Sequence, residues 1–225
     1  MSKNTERMYD FADVLDVDVA SSVPPGSSVL ISGPAMTGKE ALVFDILANG
    51  VCDSEGAVVV TTGDRAGDVI NDIESRATGV AGHQLGIIDC RGDSGDVSDD
   101  HSGAYVHHVG SPSDLTGMGV GITNSFERIQ DAGLDRGRLA LTSLSTMLTF
   151  ADEQTVFKFC HVLSQRLDAA GFLGFFTIDS NAHDDRTLQI ITQPFDGLVE
   201  IRETDGAREA RVKGLRPDPS EWIEL

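Results

Sequence analysis

One stretch near the N-terminus has the residue types and the spacing that bind phosphate groups. Gly33, Gly38 and Lys39 stand at the fixed positions of the phosphate-binding loop pattern G-x-x-x-x-G-K-[ST]. Glycines let backbone N–H groups turn toward phosphate oxygens, the helix that follows adds the positive end of its dipole, and the lysine adds a charge. We therefore predict that phosphate groups bind through the loop Gly33-Pro34-Ala35-Met36-Thr37-Gly38-Lys39-Glu40, with a glycine-rich turn that binds no ligand as the alternative.

The last position of this loop departs from the pattern. Glu40 stands where a Ser or Thr hydroxyl would coordinate Mg²⁺. A carboxylate at that place can bind a metal ion, but it also puts a negative charge beside the phosphate groups. The loop therefore predicts phosphate binding and leaves the binding of Mg²⁺ open.

The charge of the chain limits the partners that it can bind. Its 36 acidic and 17 basic residues give a net charge of −19, which repels nucleic acids and anionic membranes unless basic residues cluster locally. The acids are spread along the chain and lysine is scarce. This pattern is typical of halophilic proteins, which work in molar salt where repulsion between charges is screened. An ordinary acidic cytosolic protein is the alternative.

No segment of the sequence predicts export or insertion into a membrane. No apolar run approaches the about 20 residues of a membrane-spanning helix, and the N-terminus lacks the apolar region of a signal peptide. The three cysteines, Cys52, Cys90 and Cys160, lie singly in apolar stretches and are predicted to be buried and reduced. We therefore expect a cytoplasmic protein.

The elements that must position the loop alternate between strand and helix. Apolar and β-branched runs predict strands at residues 29–31, 57–61, 85–90, 104–109, 139–144 and 172–178. Apolar residues at helical spacing predict helices from the loop to Asn49-Gly50, over 66–78, around 122–129 and over 156–167. Asp179 and the run His183-Asp184-Asp185 are assigned to a polar loop, not to a metal site.

This order of elements predicts an α/β fold with a mainly parallel central sheet flanked by helices. Residues 198–202 and 209–214 flank Thr204-Asp205-Gly206 and predict a C-terminal antiparallel hairpin. The phosphate loop follows the first strand, where an open parallel sheet places its ligand. We expect a single domain over residues 1–225, with 1–10 frayed and with the acidic segment 91–103 as a surface loop.

With these motifs in order, the chain resembles the KaiC-like branch of the RecA superfamily over nearly its whole length. Residues 25–34 are similar to the family's entry into the phosphate loop, and Thr37-Gly38-Lys39 matches its T-G-K. Residues 139–145 resemble its Walker B strand, and 195–200 resemble its late F-D-G-V-[IV]-E strand. Residues 211–216 look like its last strand. The resemblance implies a RecA-like P-loop domain that binds ATP.

The resemblance breaks at the positions that the family uses for hydrolysis. The Walker B aspartate, which orients the water shell of Mg²⁺, is Thr142 here, and the acidic pair after the second strand is Thr62-Gly63. Asp64 is the nearest carboxylate, and it is either a substitute base or the N-cap of the next helix. Phosphoryl transfer needs metal and a positioned water together, and loss of a positioned base alone commonly costs about 10²–10⁴ in rate. Glu40 and Thr142 are the candidate metal ligands that are left.

The sequence therefore leaves three functions open. The first is a nucleotide-binding regulatory or scaffold protein with degenerate Walker motifs and a degraded hydrolytic machinery. The second is a weak Mg²⁺-dependent ATPase that uses Glu40 and Asp64, and the third is an interaction module that binds no nucleotide. The resemblance also implies a homo-oligomer in which Lys213 and Arg216 reach the nucleotide of a neighbouring subunit, or, as the alternative, solvated cations at a strand end. A protein partner is expected but not identified, and nucleic acid is disfavoured by the acidic surface.

Overall fold

A nine-stranded sheet forms the centre of the part of the chain that this computed structural model describes, which is residues 8–15, 18–92, 103–204 and 206–225. Its strands are β1 Ser28–Gly33, β2 Gly56–Thr61, β3 Leu85–Asp89, β4 Tyr105–His108, β5 Gly137–Thr142, β6 Leu173–Asp179, β7 Gly197–Thr204, β8 Ala207–Lys213 and β9 Ile223–Glu224. They lie side by side in the order β4-β3-β2-β5-β6-β1-β7-β8-β9.

Helices cover both faces of this sheet. They are α1 Ala12–Leu15, α2 Lys39–Cys52, α3 Ala66–Arg76, α4 Leu115–Asp131, α5 Leu144–Phe150, α6 Glu153–Ala170 and α7 Asp185–Thr192. Side chains of α1, α2 and α3 join the apolar cluster on one face, and those of α4 to α7 join the cluster on the other. Among the helices that the structure describes, none has the length and the apolar character that crossing a membrane requires.

The inner strands are mostly apolar because both faces of the sheet are covered there. In β1, Val29 and Ile31 point into the cluster with α1 to α3, whereas Leu30 points into the cluster with α4 to α7. Successive side chains of a strand alternate between the two faces, so a strand between two helical layers buries side chains on both faces and is mostly apolar. The continuous apolar runs in the sequence therefore predicted these strands correctly.

The direction of the strands confirms the predicted fold class. In the order of the sheet, the seven strands from β4 to β7 each pair in parallel with the next, whereas β7, β8 and β9 pair antiparallel. The predicted C-terminal hairpin is β7 and β8, in which Thr204 pairs with Ala207. Because β1 lies between β6 and β7, the loop that follows Gly33 lies beside Asp179, its partner in β6.

The prediction that residues 1–10 are frayed is wrong for the residues that the structure describes. Tyr9 is buried, and its hydroxyl oxygen lies 3.1 Å from the carbonyl oxygen of Gly137 and 2.9 Å from that of Gly171. Burial raises the pKa of this phenol to about 12. Residues 1–7, and residues 93–102 of the predicted acidic loop, lie outside the described part of the chain.

Helix α2 runs past the end that Asn49-Gly50 predicted and continues to Cys52. Gly50 is needed for close packing, because a Cβ atom on it would lie 2.5 Å from Arg138 Nε and 2.7 Å from Glu55 Oε2. The extra turn leaves Cys52 exposed, which corrects the expectation that all three cysteines are buried, whereas Cys90 and Cys160 are buried as predicted.

Two helices were not predicted, because both are short and begin in segments that we assigned to other structures. The strand predicted over 139–144 ends at Thr142, and Ser143 caps α5 by accepting a hydrogen bond from the Thr146 N–H. The polar run at 183–185 contains the start of α7, which Asp184 caps in the same way through the Thr187 N–H. Ser and Asp are strong N-cap residues, so these starts were visible in the sequence.

Candidate functional site

The predicted phosphate loop connects β1 to α2 and folds back on itself. Thr37 is 3% exposed, and its hydroxyl donates a hydrogen bond to the carbonyl oxygen of Pro34 at 2.8 Å. Met36 and Gly38 both have positive φ angles, 63° and 78°. Gly38 adopts this conformation at little cost because it has no Cβ. Met36 does have a Cβ, and its side chain is fully exposed to solvent at the tip of the loop.

The start of α2 has no side-chain cap, which distinguishes it from four other helices. Its N-cap residue is Gly38, and no side chain accepts a hydrogen bond there. By contrast, Asp114, Ser143, Asp152 and Asp184 each accept a backbone N–H at the start of α4, α5, α6 and α7. The N-terminal N–H groups of a helix and its dipole attract anions, so this helix start is suited to phosphate.

Lys39 points back into the loop from the first turn of α2. It is 6% exposed, and its Nζ lies 2.5 Å from the carbonyl oxygen of Pro34 and 2.8 Å from Asp179 Oδ1. Asp179 is the last residue of β6. The ammonium group that the sequence assigned to phosphate is therefore placed inside the loop, where a carboxylate of the same chain pairs with it.

The residues after Asp179 also contact the loop. The backbone N–H of Ser180 donates to the carbonyl oxygen of Gly33 at 2.8 Å. The side-chain oxygen of Asn181 accepts a hydrogen bond from the backbone N–H of Ala35 at 3.2 Å. Sequence reasoning missed Asp179 and Asn181 as neighbours of the loop, because the pairing of β6 with β1 joins residues far apart in the chain.

Arg208 is a second cation at the loop that the sequence did not reveal. It lies on β8, and its Nη1 donates a hydrogen bond to the carbonyl oxygen of Thr37 at 3.3 Å. A Cβ atom on Gly38 would overlap the same Nη1. Alternation along β8 supplied a signal: Arg208 shares its face with the buried Ala210 and Val212, which pack in the cluster with α2.

The two cations expected to act across a subunit boundary lie elsewhere. Lys213 is on the opposite face of β8 from Arg208, and its Nζ lies 2.8 Å from Glu200 Oε2. Arg211 pairs with the same carboxylate at 2.6 Å. Arg216 follows β8 and is exposed. Within the described residues no carboxylate lies within ion-pair distance of Arg208, and this hairpin cation donates a hydrogen bond to the loop.

Three carboxylates, those of Glu40, Asp64 and Asp179, lie near one another beside the loop. Loss of hydration raises the pKa of Glu40, the carboxylates of Asp64 and Asp179 raise it further, and Lys39 opposes them. Asp64 is exposed and is not the N-cap of α3, which is Arg65. The Ala66 N–H at the start of α3 instead donates to Asp89 Oδ2, at the end of β3. The N-cap interpretation of Asp64 was therefore wrong.

The ends of β2 and β5 carry hydroxyl groups in place of carboxylates. Thr142 is 2% exposed, and its carbonyl oxygen accepts hydrogen bonds from the Thr62 hydroxyl at 3.0 Å and from the Thr62 N–H at 2.8 Å. The Thr62 hydroxyl oxygen accepts the N–H of Ser143 at 3.1 Å. These neutral bonds tie the two strands together at the place where the resemblance would have put an aspartate.

Among the residues that the structure describes, no group of three or more His, Cys, Asp or Glu side chains is placed to hold a metal ion. Glu40 and Thr142 therefore stay predicted ligands. What the arrangement can do chemically is bind an anion through Lys39, the loop N–H groups and Arg208.

Comparison with known proteins places the chain in a family. Residues 26–201 match DUF7504, described as a family of unknown function. The chain belongs to this family. The crystal structure of the KaiC-like protein PH0186 from the hyperthermophilic archaeon Pyrococcus horikoshii OT3 is similar to this DUF7504 chain, with a TM-score of 0.65 and 15% identity over 96% of this chain and 90% of that one. This similarity confirms the KaiC-like RecA fold. No curated protein matches the sequence.

Proposed function

We propose that this chain binds a nucleotide, with ATP as the first candidate, and acts as a regulatory or scaffold protein that hydrolyses it slowly or not at all. The observation that carries the proposal is the start of α2. It has no side-chain cap, it begins at Gly38 in a left-handed conformation, and it holds Lys39 buried inside the loop. A helix start left open in this way and supplied with a cation supports phosphate binding.

Arg208 supports the same proposal by its charge. The chain carries a net charge of −19, yet Lys39 and Arg208 both lie at the loop. In an acidic protein, two cations at one loop make a local site for an anion that the rest of the surface repels. The KaiC-like fold of the neighbouring structure is consistent with a nucleotide as that anion.

The ends of β2 and β5 support weak or absent hydrolysis. Phosphoryl transfer requires a metal ion and a positioned water in addition to the phosphate cradle. The hydroxyl and the backbone N–H of Thr62 donate to the carbonyl oxygen of Thr142, and a hydroxyl group is a poor base at neutral pH. Binding without efficient turnover is the function that such a half-equipped site supports.

The proposal is tested by thermal-shift titration with ATP and ADP, with and without Mg²⁺, in molar KCl. A ligand at 100 times its Kd adds about 2.7 kcal/mol to the free energy of unfolding, so we expect a clear rise in Tm for the wild type. Lys39→Ala should show no rise. Lys158→Ala, on the exposed face of α6, is the matched control and should behave as the wild type. If neither ATP nor ADP raises the Tm of the wild type, the chain is a RecA-fold interaction module.

A metal-dependent ATPase is the second candidate, and one feature favours it. Glu40, Asp64 and Asp68 line a cavity of about 330 Å³ between α2 and α3, beside the loop. Carboxylates at this place are the ligand type that Mg²⁺ prefers. Mg²⁺-dependent release of phosphate that disappears in both Lys39→Ala and Asp64→Asn would establish this function in place of the regulatory one.

The assembly and the setting of the protein are also proposals. Lys213 and Arg216 would act on a neighbouring subunit in a homo-oligomer, and Lys213 would then have to leave Glu200. Sedimentation of the wild type with and without ATP tests this, because a purely monomeric species under both conditions excludes it. The charge of −19 supports a cytoplasm of high salt, for which the free energy of unfolding should rise from 0.1 M to about 2 M KCl as repulsion is screened.

A further inference from the structure

Two side-chain oxygen atoms at the end of β6 and just after it contact groups of the loop. A carboxylate oxygen of Asp179 lies 2.8 Å from Lys39 Nζ. The amide oxygen of Asn181 accepts the N–H of Ala35 at 3.2 Å. An ammonium group and a backbone N–H inside a phosphate loop are the groups that bind phosphate oxygens, and here side chains of the protein itself contact both.

This segment is held in place by further hydrogen bonds. The backbone N–H of Asp179 donates to the hydroxyl oxygen of Ser145 at 2.9 Å, and His183 Nε2 lies 2.9 Å from the same oxygen. Ser145 is a buried residue of α5. On the other side, the Ser180 N–H bonds to the carbonyl oxygen of Gly33. Residues 179–183 are therefore anchored at both α5 and β1, and the contact with Lys39 is built into the fold.

Burial decides which partner of the pair can be replaced. Lys39 is 6% exposed, whereas the side chain of Asp179 is 30% exposed. A buried ammonium group needs a counter-charge at all times. Asp179 supplies that charge in the structure, and because its carboxylate is open to solvent it can turn away when another anion arrives.

We infer that Asp179 and Asn181 form an internal competitor for the phosphate loop, which a nucleotide must displace in order to bind. The inference rests on the proposed function, since it concerns the affinity of the same site. The carboxylate of Asp179 takes the position of a phosphate oxygen on Lys39, and Asn181 takes the position of a second one on Ala35. Binding is thereby set to a weaker affinity than the loop alone would give.

The size of the effect follows from the type of contact. A hydrogen bond to a charged group contributes enough to change an equilibrium constant by about ten- to a hundredfold, and a neutral one changes it by about two- to tenfold. Asp179→Asn should therefore tighten the Kd for inorganic pyrophosphate and for ATP by about tenfold or more. Asn181→Ala should tighten it by a few-fold.

The test is calorimetric titration of the full chain with inorganic pyrophosphate and with ATP, in fixed KCl, with and without Mg²⁺. Pyrophosphate probes the loop without a base or a sugar. Asp185→Asn is the matched control, because it removes a carboxylate from an exposed position in the first turn of α7; it should change the Kd less than twofold. A second control combines Lys39→Ala with Asp179→Asn; because Asp179 acts through its direct contact with Lys39, the double variant should bind no better than Lys39→Ala alone.

The outcomes separate the inference from the proposed function. If the wild type binds, Lys39→Ala does not, and Asp179→Asn binds equally or more weakly, the inference is overturned and the proposed function stands. Loss of Mg²⁺-dependent binding in Asp179→Asn would identify Asp179 as a metal ligand and would also overturn it. Tight binding by Asp179→Asn alone, with none by the wild type, supports it. If no variant binds either probe, the proposed function and the inference both fail.

Discussion

Two ion pairs at opposite ends of the parallel strands differ in how deeply their carboxylates are buried. At the edge where the parallel strands begin, Arg138 and Glu55 are 1% and 3% exposed, and Arg138 Nε lies 2.6 Å from Glu55 Oε2. At the edge where the strands end, Lys39 and Asp179 are 6% and 30% exposed and 2.8 Å apart. Both pairs include a buried cation, but only the first encloses its carboxylate as well.

The partners of each cation explain the difference. Arg138 also donates hydrogen bonds to the carbonyl oxygens of Ile46 and Asp10, and Arg136 binds the second oxygen of Glu55 at 2.6 Å. No position in this network is left for a ligand. Lys39 is bound by the carbonyl oxygen of Pro34 and by the partly exposed carboxylate of Asp179. The closed network therefore holds the fold together, whereas the proposed function has the open pair exchange its carboxylate for phosphate.

The variant Glu55→Gln tests the difference between the two ion pairs most strongly. It leaves the buried guanidinium group of Arg138 without the carboxylate that it contacts, and removal of one partner of a buried pair commonly costs about 3–5 kcal/mol. We expect a loss of that size in the free energy of unfolding, measured with urea in molar KCl. Glu209→Gln is the control, because its partner Arg202 is exposed, and it should cost less than about 1 kcal/mol. Equal losses in the two variants would show that burial does not distinguish these pairs.

Thr142→Asp tests whether the missing carboxylate at the end of β5 is all that prevents the hydrolysis of ATP. The position is 2% exposed. An aspartate there should lower the free energy of unfolding by about 1–3 kcal/mol, because its carboxylate would be buried without a hydrogen-bond partner placed for it. Turnover of ATP should stay at the wild-type level, because Thr62-Gly63 still offers no base. Mg²⁺-dependent phosphate release by the single variant would contradict this account.

Two glycine variants compare the edges of the sheet directly. Gly50→Ala places a Cβ atom 2.5 Å from Arg138 Nε and should cost about 1–3 kcal/mol of stability with no change in the Kd for ATP. Gly38→Ala should cost about 1 kcal/mol through its left-handed backbone and should weaken ATP binding by displacing Arg208. Denaturation and calorimetry on the same samples measure both quantities. A change of Kd in Gly50→Ala would mean that the two edges are coupled.

The smallest expected effect is the dependence of stability on Glu40 and pH. Its pKa is raised above the ordinary 4.5 by loss of hydration and by Asp64 and Asp179. The folded state then holds this proton more tightly than the unfolded state, so the contribution to stability is present below pH about 4.5 and is lost as the pH rises through the folded pKa. Glu40→Gln should therefore be slightly more stable than the wild type at pH 7.5 and equal to it at pH 4.5, in urea titrations. A less stable variant at pH 7.5 would show that the ionised carboxylate is needed there.

The sequence predicted those features that depend on neighbours along the chain. The runs at 57–61 and 172–178 predicted buried strands because a strand covered on both faces needs apolar residues at every position. The spacing of Gly33, Gly38 and Lys39 predicted the loop because the geometry of a phosphate nest is local. The hairpin was predicted because its turn residues lie between two strand-like segments.

Features that depend on which strands become neighbours could not be predicted in this way. Asp179 and Arg208 reach the loop only because β6 and β8 lie in the same sheet as β1. Asp89 replaces Asp64 at the start of α3 through the packing of β3 beside β2. Gly50 was interpreted as a helix end because a glycine required for close approach to Arg138 looks the same in the sequence as a glycine that ends a helix.

The central claim, that the site binds ATP and does not efficiently hydrolyse it, is tested most directly under single-turnover conditions. Protein in excess over radiolabelled ATP is incubated with Mg²⁺ in molar KCl, binding is measured by equilibrium dialysis, and the nucleotide is then identified by chromatography. We predict that the wild type retains ATP, that Lys39→Ala does not, and that the retained nucleotide is still ATP after hours. Accumulation of ADP with the wild type but not with Lys39→Ala would contradict the claim, and so would the absence of retention.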